Sequence, residues 1–201
     1  MAQRHHRDIV VATSSFTRFR LVSNVSSLAL VIGLSVTFSS SLTLDRVEAI
    51  GIGIFASLLA SQVTIDVLTK RLPLTLSLAP LVPMGVLFQI ATPTLPSAIS
   101  MVLGLTTMMA IAQIIRMLSR GSFGRGDVYF CAPLGLTIGY TEQLSNVSRA
   151  IVGSWFITVL LAGLVSALAL ISRRSSLTST IPYGPFLAIG VVATMLLGAS
   201  T

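Results

Sequence analysis

The sequence predicts an all-α fold, a polytopic bundle of about six to seven transmembrane helices, and three observations predict it. Of 201 residues, 53% are hydrophobic and only 9% charged, and a mean hydropathy of +0.91 lies far above that of a soluble domain of this length. Apolar stretches recur at close to the ~20 residues that carry a helix across ~30 Å of hydrocarbon. Basic residues gather in alternate gaps between those stretches.

Seven stretches follow one another: 21 to 43, 49 to 68, 74 to 91, 96 to 119, 127 to 140, 147 to 171 and 181 to 199. Arg18 and Arg20 precede the first and Ser39 to Ser41 follow it, as around a secretory signal, but six further spans favour a retained helix. The second ends on Asp66, and the third follows Lys70 and Arg71 without a break. In the fourth, Met101, Met108, Met109 and Met117 recur near helical spacing and read as packing. The fifth is the shortest and opens with Asp127 behind Gly124, Arg125 and Gly126. The sixth leads through a loop at 173 to 180 into the seventh, where Pro182, Gly184 and Pro185 set the angle of the last helix. With no internal repeat, residues 1–201 read as a single membrane domain whose first 20 residues are a basic tail.

A net charge of +7 and a pI near 11.1 invite a nucleic-acid reading, but the cations form no patch with interleaved aromatics, so no nucleic-acid partner is expected. They mark topology instead. Arg4, Arg7, Arg18, Arg20, Lys70, Arg71, Arg116, Arg120, Arg125, Arg173 and Arg174 share one face if seven spans alternate, and only Arg46 and Arg149 fall on the other. The positive-inside rule makes the richer face cytoplasmic and places the chain as a multi-pass protein of the inner (plasma) membrane, with its N-terminus inside.

The acids divide on the same map. Asp8 lies in the tail, and Asp45, Glu48 and Glu142 lie in external loops. Asp66 closes one span in ASQVTIDVLTKRLP, and Asp127 opens another in SFGRGDVYF. Two crossings separate them, so both carboxylates reach the cytoplasmic edge of the bilayer. An ionisable Asp at membrane depth costs about 2.5 to 3.5 kcal/mol at a helix centre and less near the interface, so each needs a reason. The plain one for Asp66 is a pair with Lys70, one turn on; for Asp127 it is the favourable N-terminus of a helix. Neither explains Gly124 and Gly126, which open the backbone to positive φ or to close approach and interrupt a helix.

Two facing carboxylates beside an irregular backbone are the minimum equipment of an aspartic protease. Like charges at close range share one proton, so one carboxylate takes a proton from water while the other acid donates to the peptide carbonyl. Such chemistry needs no metal and no cofactor.

GRGDVYFCAPLGLTIGY, residues 124–140, resembles the Gly-x-Gly-Asp segment of type IV prepilin peptidases. IDVLTKRLPLTLSL, residues 65–78, is similar to that family's other aspartate segment. IPYGPFLAIG, residues 181–190, is similar to the segment that opens its last helix. The three stand in the family's order and cover about residues 55–190.

The resemblance implies that Asp66 and Asp127 are the catalytic pair, with Gly124 and Gly126 as active-site backbone. They would cut the short basic leaders of type IV pilin-like precursors after a Gly at the cytoplasmic membrane face. Beside the prolines that set the angle of the last helix, Tyr183 and Phe186 are candidates to line the substrate groove. Departures fall at Leu74, where many members have Asn or Asp, and at Tyr129, where many have Lys, and bear on substrate contact.

The larger members carry paired CxxC motifs for zinc and methylate the new N-terminus. Cys131 is the only cysteine here, so the shorter branch, peptidase without N-methylation, is expected. Cys131 reads as a packing residue, His5 and His6 as solvated, and Arg125-Gly126-Asp127 as unrelated to cell adhesion. The expected partners are the precursor substrate and the lipid bilayer; pairing with a second copy is left open. The rival reading is a small transporter or channel component that uses Asp66 and Asp127 for proton or cation relay. It calls for acids nearer mid-span and a polar pore stripe.

Overall fold

The computed structural model describes residues 46–69, 74–119, 123–142, 144–171 and 183–198. The apolar stretch at 21 to 43, the basic tail with His5 and His6, and Lys70, Arg71, Arg120, Arg173, Arg174 and Pro182 lie outside these described residues. The described residues form α1 (Arg46–Thr69), α2 (Leu74–Leu78), α3 (Leu81–Ala91), α4 (Leu95–Leu118), α5 (Arg125–Thr141), α6 (Val147–Ile171) and α7 (Gly184–Gly198). Among the described residues, four segments are long and apolar enough to cross a membrane: Arg46–Leu68, Leu74–Ala91, Leu95–Leu118 and Val147–Leu168. The protein is an integral membrane helix bundle.

Each boundary has a local cause. Glu48 stands in the first turn of α1, where a carboxylate meets the positive end of the helix dipole. Thr94 caps α4 by accepting from the Ser97 amide at 3.3 Å, and Pro96 sits where a missing N–H is harmless. The stretch at 74 to 91, expected as one helix, is two. A turn at Ala79 and Pro80 divides it, because Pro80 cannot donate into the preceding turn and instead becomes the residue from which α3 starts. Pro83 falls in the first turn of α3, where its N–H would have had no intrahelical acceptor.

Helix α5 explains why the stretch at 127 to 140 is the shortest of the seven. Eleven of its seventeen residues are buried, among them Phe130, Cys131, Pro133, Leu134, Gly135, Ile138 and Gly139. It is wrapped by other helices, not by lipid, so it needs small residues more than length. Its closest neighbour is α4. A Cβ at Gly104 would strike the Gly135 carbonyl, a Cβ at Gly135 the Gly104 carbonyl, and one at Gly139 the Ser100 carbonyl. Small residues at four-residue spacing thus bring two backbones into direct contact, the usual driving force for helix association where lipid is as apolar as leucine. Ser100 ties the seam by donating to the Gly139 carbonyl at 2.6 Å.

The other contacts repeat the device. On α6 and α7, Thr158 stands against Gly190, and its hydroxyl donates to the Ser154 carbonyl at 2.7 Å. Gly51 on α1 admits the Phe88 ring of α3, which stacks on Tyr140 with centroids 4.0 Å apart. The outward rows, including Val82, Val102, Phe156, Val159 and Leu160, are more than half exposed, as a surface meeting acyl chains requires.

Candidate active site

Asp66 lies in the last turns of α1 and is only 4% exposed, so it is no interfacial side chain reaching for headgroups. Its partner comes from the far end of the chain: the Gly184 amide donates to Asp66 Oδ2 at 2.9 Å. Gly184 opens α7, whose first amides lack intrahelical acceptors and suit a carboxylate. The next residue, Pro185, has no amide to offer. A Cβ on Gly184 would lie 2.7 Å from that same Oδ2, so the hydrogen bond and the glycine are one requirement. Lys70, the expected partner of Asp66, lies outside the described residues.

Asp127 is held in a parallel way. It is the third residue of α5, and its Oδ2 accepts from the Gly124 amide at 3.1 Å, the return half of a capping box. Gly124 has φ −66° and ψ 147°, extended backbone open to any residue. Space, not φ, calls for glycine there: a Cβ would lie 2.8 Å from Asp127 Oδ2. Of the two expectations for the tandem glycines, close approach describes Gly124 and positive φ does not. Gly126 is inside the first turn of α5 and so interrupts no helix.

These anchors bring the two acids to the same end of the bundle. Helix α7 packs against both α1 and α5, and the Tyr183 ring beside the Gly184 anchor lies 5.4 Å from the Phe123 ring beside the Gly124 anchor. Beneath Asp66, one turn earlier on the same face of α1, lies Gln62, fully buried. Its Nε2 donates to Ser77 Oγ on α2 at 2.8 Å, while its Oε1 has no partner.

Tyr183 and Phe186 occupy different positions. Tyr183 is 38% exposed and meets the buried Phe123 ring edge-on at 5.4 Å. Phe123 in turn lies 6.4 Å from Trp155, so an aromatic group closes the space between the Gly184 and Gly124 anchors. Phe186 is half-buried, and its backbone carbonyl accepts from the Thr158 hydroxyl of α6 at 3.2 Å. Cys131, one turn beyond Asp127, is buried and packs in the core. Among the described residues no three His, Cys, Asp or Glu side chains cluster as metal ligands.

Two members of this arrangement escape sequence reasoning. Gly184 reads as a setter of helix angle, although a glycine just before Pro185 also offers an amide that no side chain shields. Gln62 gives no local signal beyond being a polar residue one turn before Asp66.

The model of the type IV leader peptidase family matches residues 53–171, more than half of the chain and the stretch that carries both Asp66 and Asp127. No curated protein matches, and no solved structure does. With a bundle of membrane-crossing helices and two acids at one end of it, this chain belongs to the type IV leader peptidase family and is an integral membrane peptidase.

Proposed function

We propose that the protein is an aspartic endopeptidase in which Asp66 and Asp127 activate water to remove the short basic leader of type IV pilin-like precursors. One observation carries the reading: two carboxyls stand at one end of the bundle, each accepting from a glycine amide, and a Cβ at either glycine would crowd the carboxylate it holds. In the proposed reaction the pair shares one proton. The ionised member takes a proton from water as its oxygen attacks the scissile carbonyl carbon, and the protonated member donates to the carbonyl oxygen. Collapse of the tetrahedral diol breaks the C–N bond, and the proton gained from water passes to the leaving amine. No metal and no cofactor enters.

Cleavage follows a leader glycine, the face with most of the arginines is cytoplasmic, and the membrane is the inner one. With a single cysteine, these 201 residues cannot form the paired CxxC zinc site by themselves, so the activity proposed for them is leader cleavage alone. Tyr183, part-exposed beside Phe123, and Phe186, half-buried in the first turn of α7, are the residues that would line the groove for an extended leader. A precursor helix approaching through the bilayer brings its end to the acids without leaving the membrane, which suits acids at one end of the bundle.

The test is co-expression with a pilin-like precursor, read by mobility shift and N-terminal sequencing, for wild type, Asp66→Asn and Asp127→Asn. Each Asn still accepts a hydrogen bond from its glycine but cannot act as an acid. Loss of at least ~10³-fold in both variants, with insertion retained, is expected. Normal cutting by either variant refutes the pair and revives the proton- or cation-relay reading.

A further inference from the structure

On the side of α5 turned away from Asp127, a groove of about 520 Å³ runs between α4 and α5. Its wall on α4 runs through Leu105, Thr106, Met109, Ala110, Gln113 and Arg116, the Thr106 hydroxyl donating to the Val102 carbonyl of its own helix at 2.7 Å, and Arg125 and Tyr129 close it from α5. Charge is confined to one end of this wall. Leu105 and Met109 are apolar, Gln113 is polar and exposed, and Arg116 and Arg125 place two guanidinium groups at the mouth. From Leu105 to Arg116 the helix rises about 16 Å, close to half of the ~30 Å hydrocarbon thickness. The groove therefore spans one leaflet and carries its charge where that leaflet's headgroups lie.

Arg116 alone has a simpler explanation, since a cation in the last turn offsets the negative end of α4. That explanation leaves out Arg125, which begins the next helix, and the apolar channel that leads to both. Neither guanidinium pairs with an acid among the described residues.

We propose that this groove is a binding site for one anionic phospholipid of the leaflet on the Arg116 side, its phosphate between Arg116 and Arg125 and an acyl chain along Met109 and Leu105. Charge complementarity selects the anionic headgroup, and the leaflet-long apolar channel selects a lipid over a free anion. Nothing in the site requires the carboxylates, so lipid occupancy and peptide cleavage are separable.

The full chain, purified in neutral detergent and stripped of lipid, is titrated with phosphatidylglycerol and with phosphatidylcholine, and bound lipid is counted by native mass spectrometry. One phosphatidylglycerol bound in preference to phosphatidylcholine is expected. Arg116→Gln and Arg125→Gln each weaken it roughly fivefold and the double variant about 25-fold, Met109→Trp weakens it by filling the channel, and Arg149→Gln at the opposite face has no effect. The proposal is overturned if the double variant holds phosphatidylglycerol as tightly as wild type, or if Arg149→Gln weakens binding equally. Glycerol phosphate competing as well as the lipid overturns it in favour of a bare anion site. A photo-reactive residue at Met109 that captures a precursor helix instead of lipid overturns it in favour of a substrate groove.

Discussion

The Gly184 amide reaches Asp66 Oδ2 at 2.9 Å across 118 residues of chain, so the opening of the last helix and the end of α1 meet at a carboxylate. Because a Cβ at Gly184 would lie 2.7 Å from that oxygen and Asp66 is buried, Gly184→Ala forces the carboxylate to move. Misplacement of a reacting group by about 1 Å costs on the order of 10²-fold. Leader cleavage by Gly184→Ala is expected to fall by about that factor while the chain still inserts. Gly163→Ala, with no atom within 4 Å of the added carbon, keeps wild-type activity in the same assay.

Gly124→Ala separates catalysis from stability. The added Cβ meets only the end of the Asp127 side chain, and Asp127 is half-exposed and can swing away. The lost cap costs about 1 kcal/mol, so thermal unfolding in detergent shifts by a few degrees, whereas cleavage drops at least tenfold. Equal losses in both measurements would contradict the proposed role of Asp127.

The seam between α4 and α5 has no such freedom. A side chain at Gly104 or Gly135 meets backbone on the other helix, which cannot rotate aside as a rotamer can. Gly135→Val is expected to destabilise the bundle by more than about 3 kcal/mol, read as loss of monodisperse protein on size-exclusion chromatography. Gly85→Val, with only the Leu136 side chain at 3.7 Å, is the tolerated comparison.

Gln62 tests the value of a half-satisfied buried amide. Gln62→Ala opens a cavity and removes the bond to Ser77 Oγ, for an expected loss of about 2 to 4 kcal/mol. Gln62→Met keeps the volume and removes the unpartnered Oε1, so its melting point stays within a few degrees of wild type. A Met variant as unstable as the Ala variant would mean that Oε1 has a partner of its own, such as a bound water.

Most helix limits were legible in the sequence because the apolar runs end close to the capping residues and prolines that stop the helices: 147 to 171 matches α6 residue for residue, and 96 to 119 and 127 to 140 fall within two residues of α4 and α5. The division of 74 to 91 was written in Pro80 but is masked by unbroken hydropathy on both sides. Asp66 and Asp127 were legible as candidates because charge is conspicuous in a chain with 9% of it. Their glycine anchors were legible by halves. Gly124 is three residues from its acid, whereas Gly184 is joined to Asp66 only by the packing of α7, which no local pattern encodes. The pairing of Gly104 with Gly135 and of Gln62 with Ser77 is hidden for the same reason.

The burial of α5 bears on how the chain is made. A helix rich in glycine, threonine and proline on its inner faces gains little from lipid by itself, and during synthesis it emerges directly after α4, whose small-residue face is already in place. Its position in the bilayer comes from that neighbour. Asp127 therefore arrives at its final depth as part of a hairpin, and it meets Asp66 in the arrangement described only after α7, the last of these helices to leave the ribosome, has supplied Gly184. An unfinished chain holds both acids but lacks the Gly184 amide that anchors Asp66, so the catalytic pair proposed above is assembled only once α7 has been made.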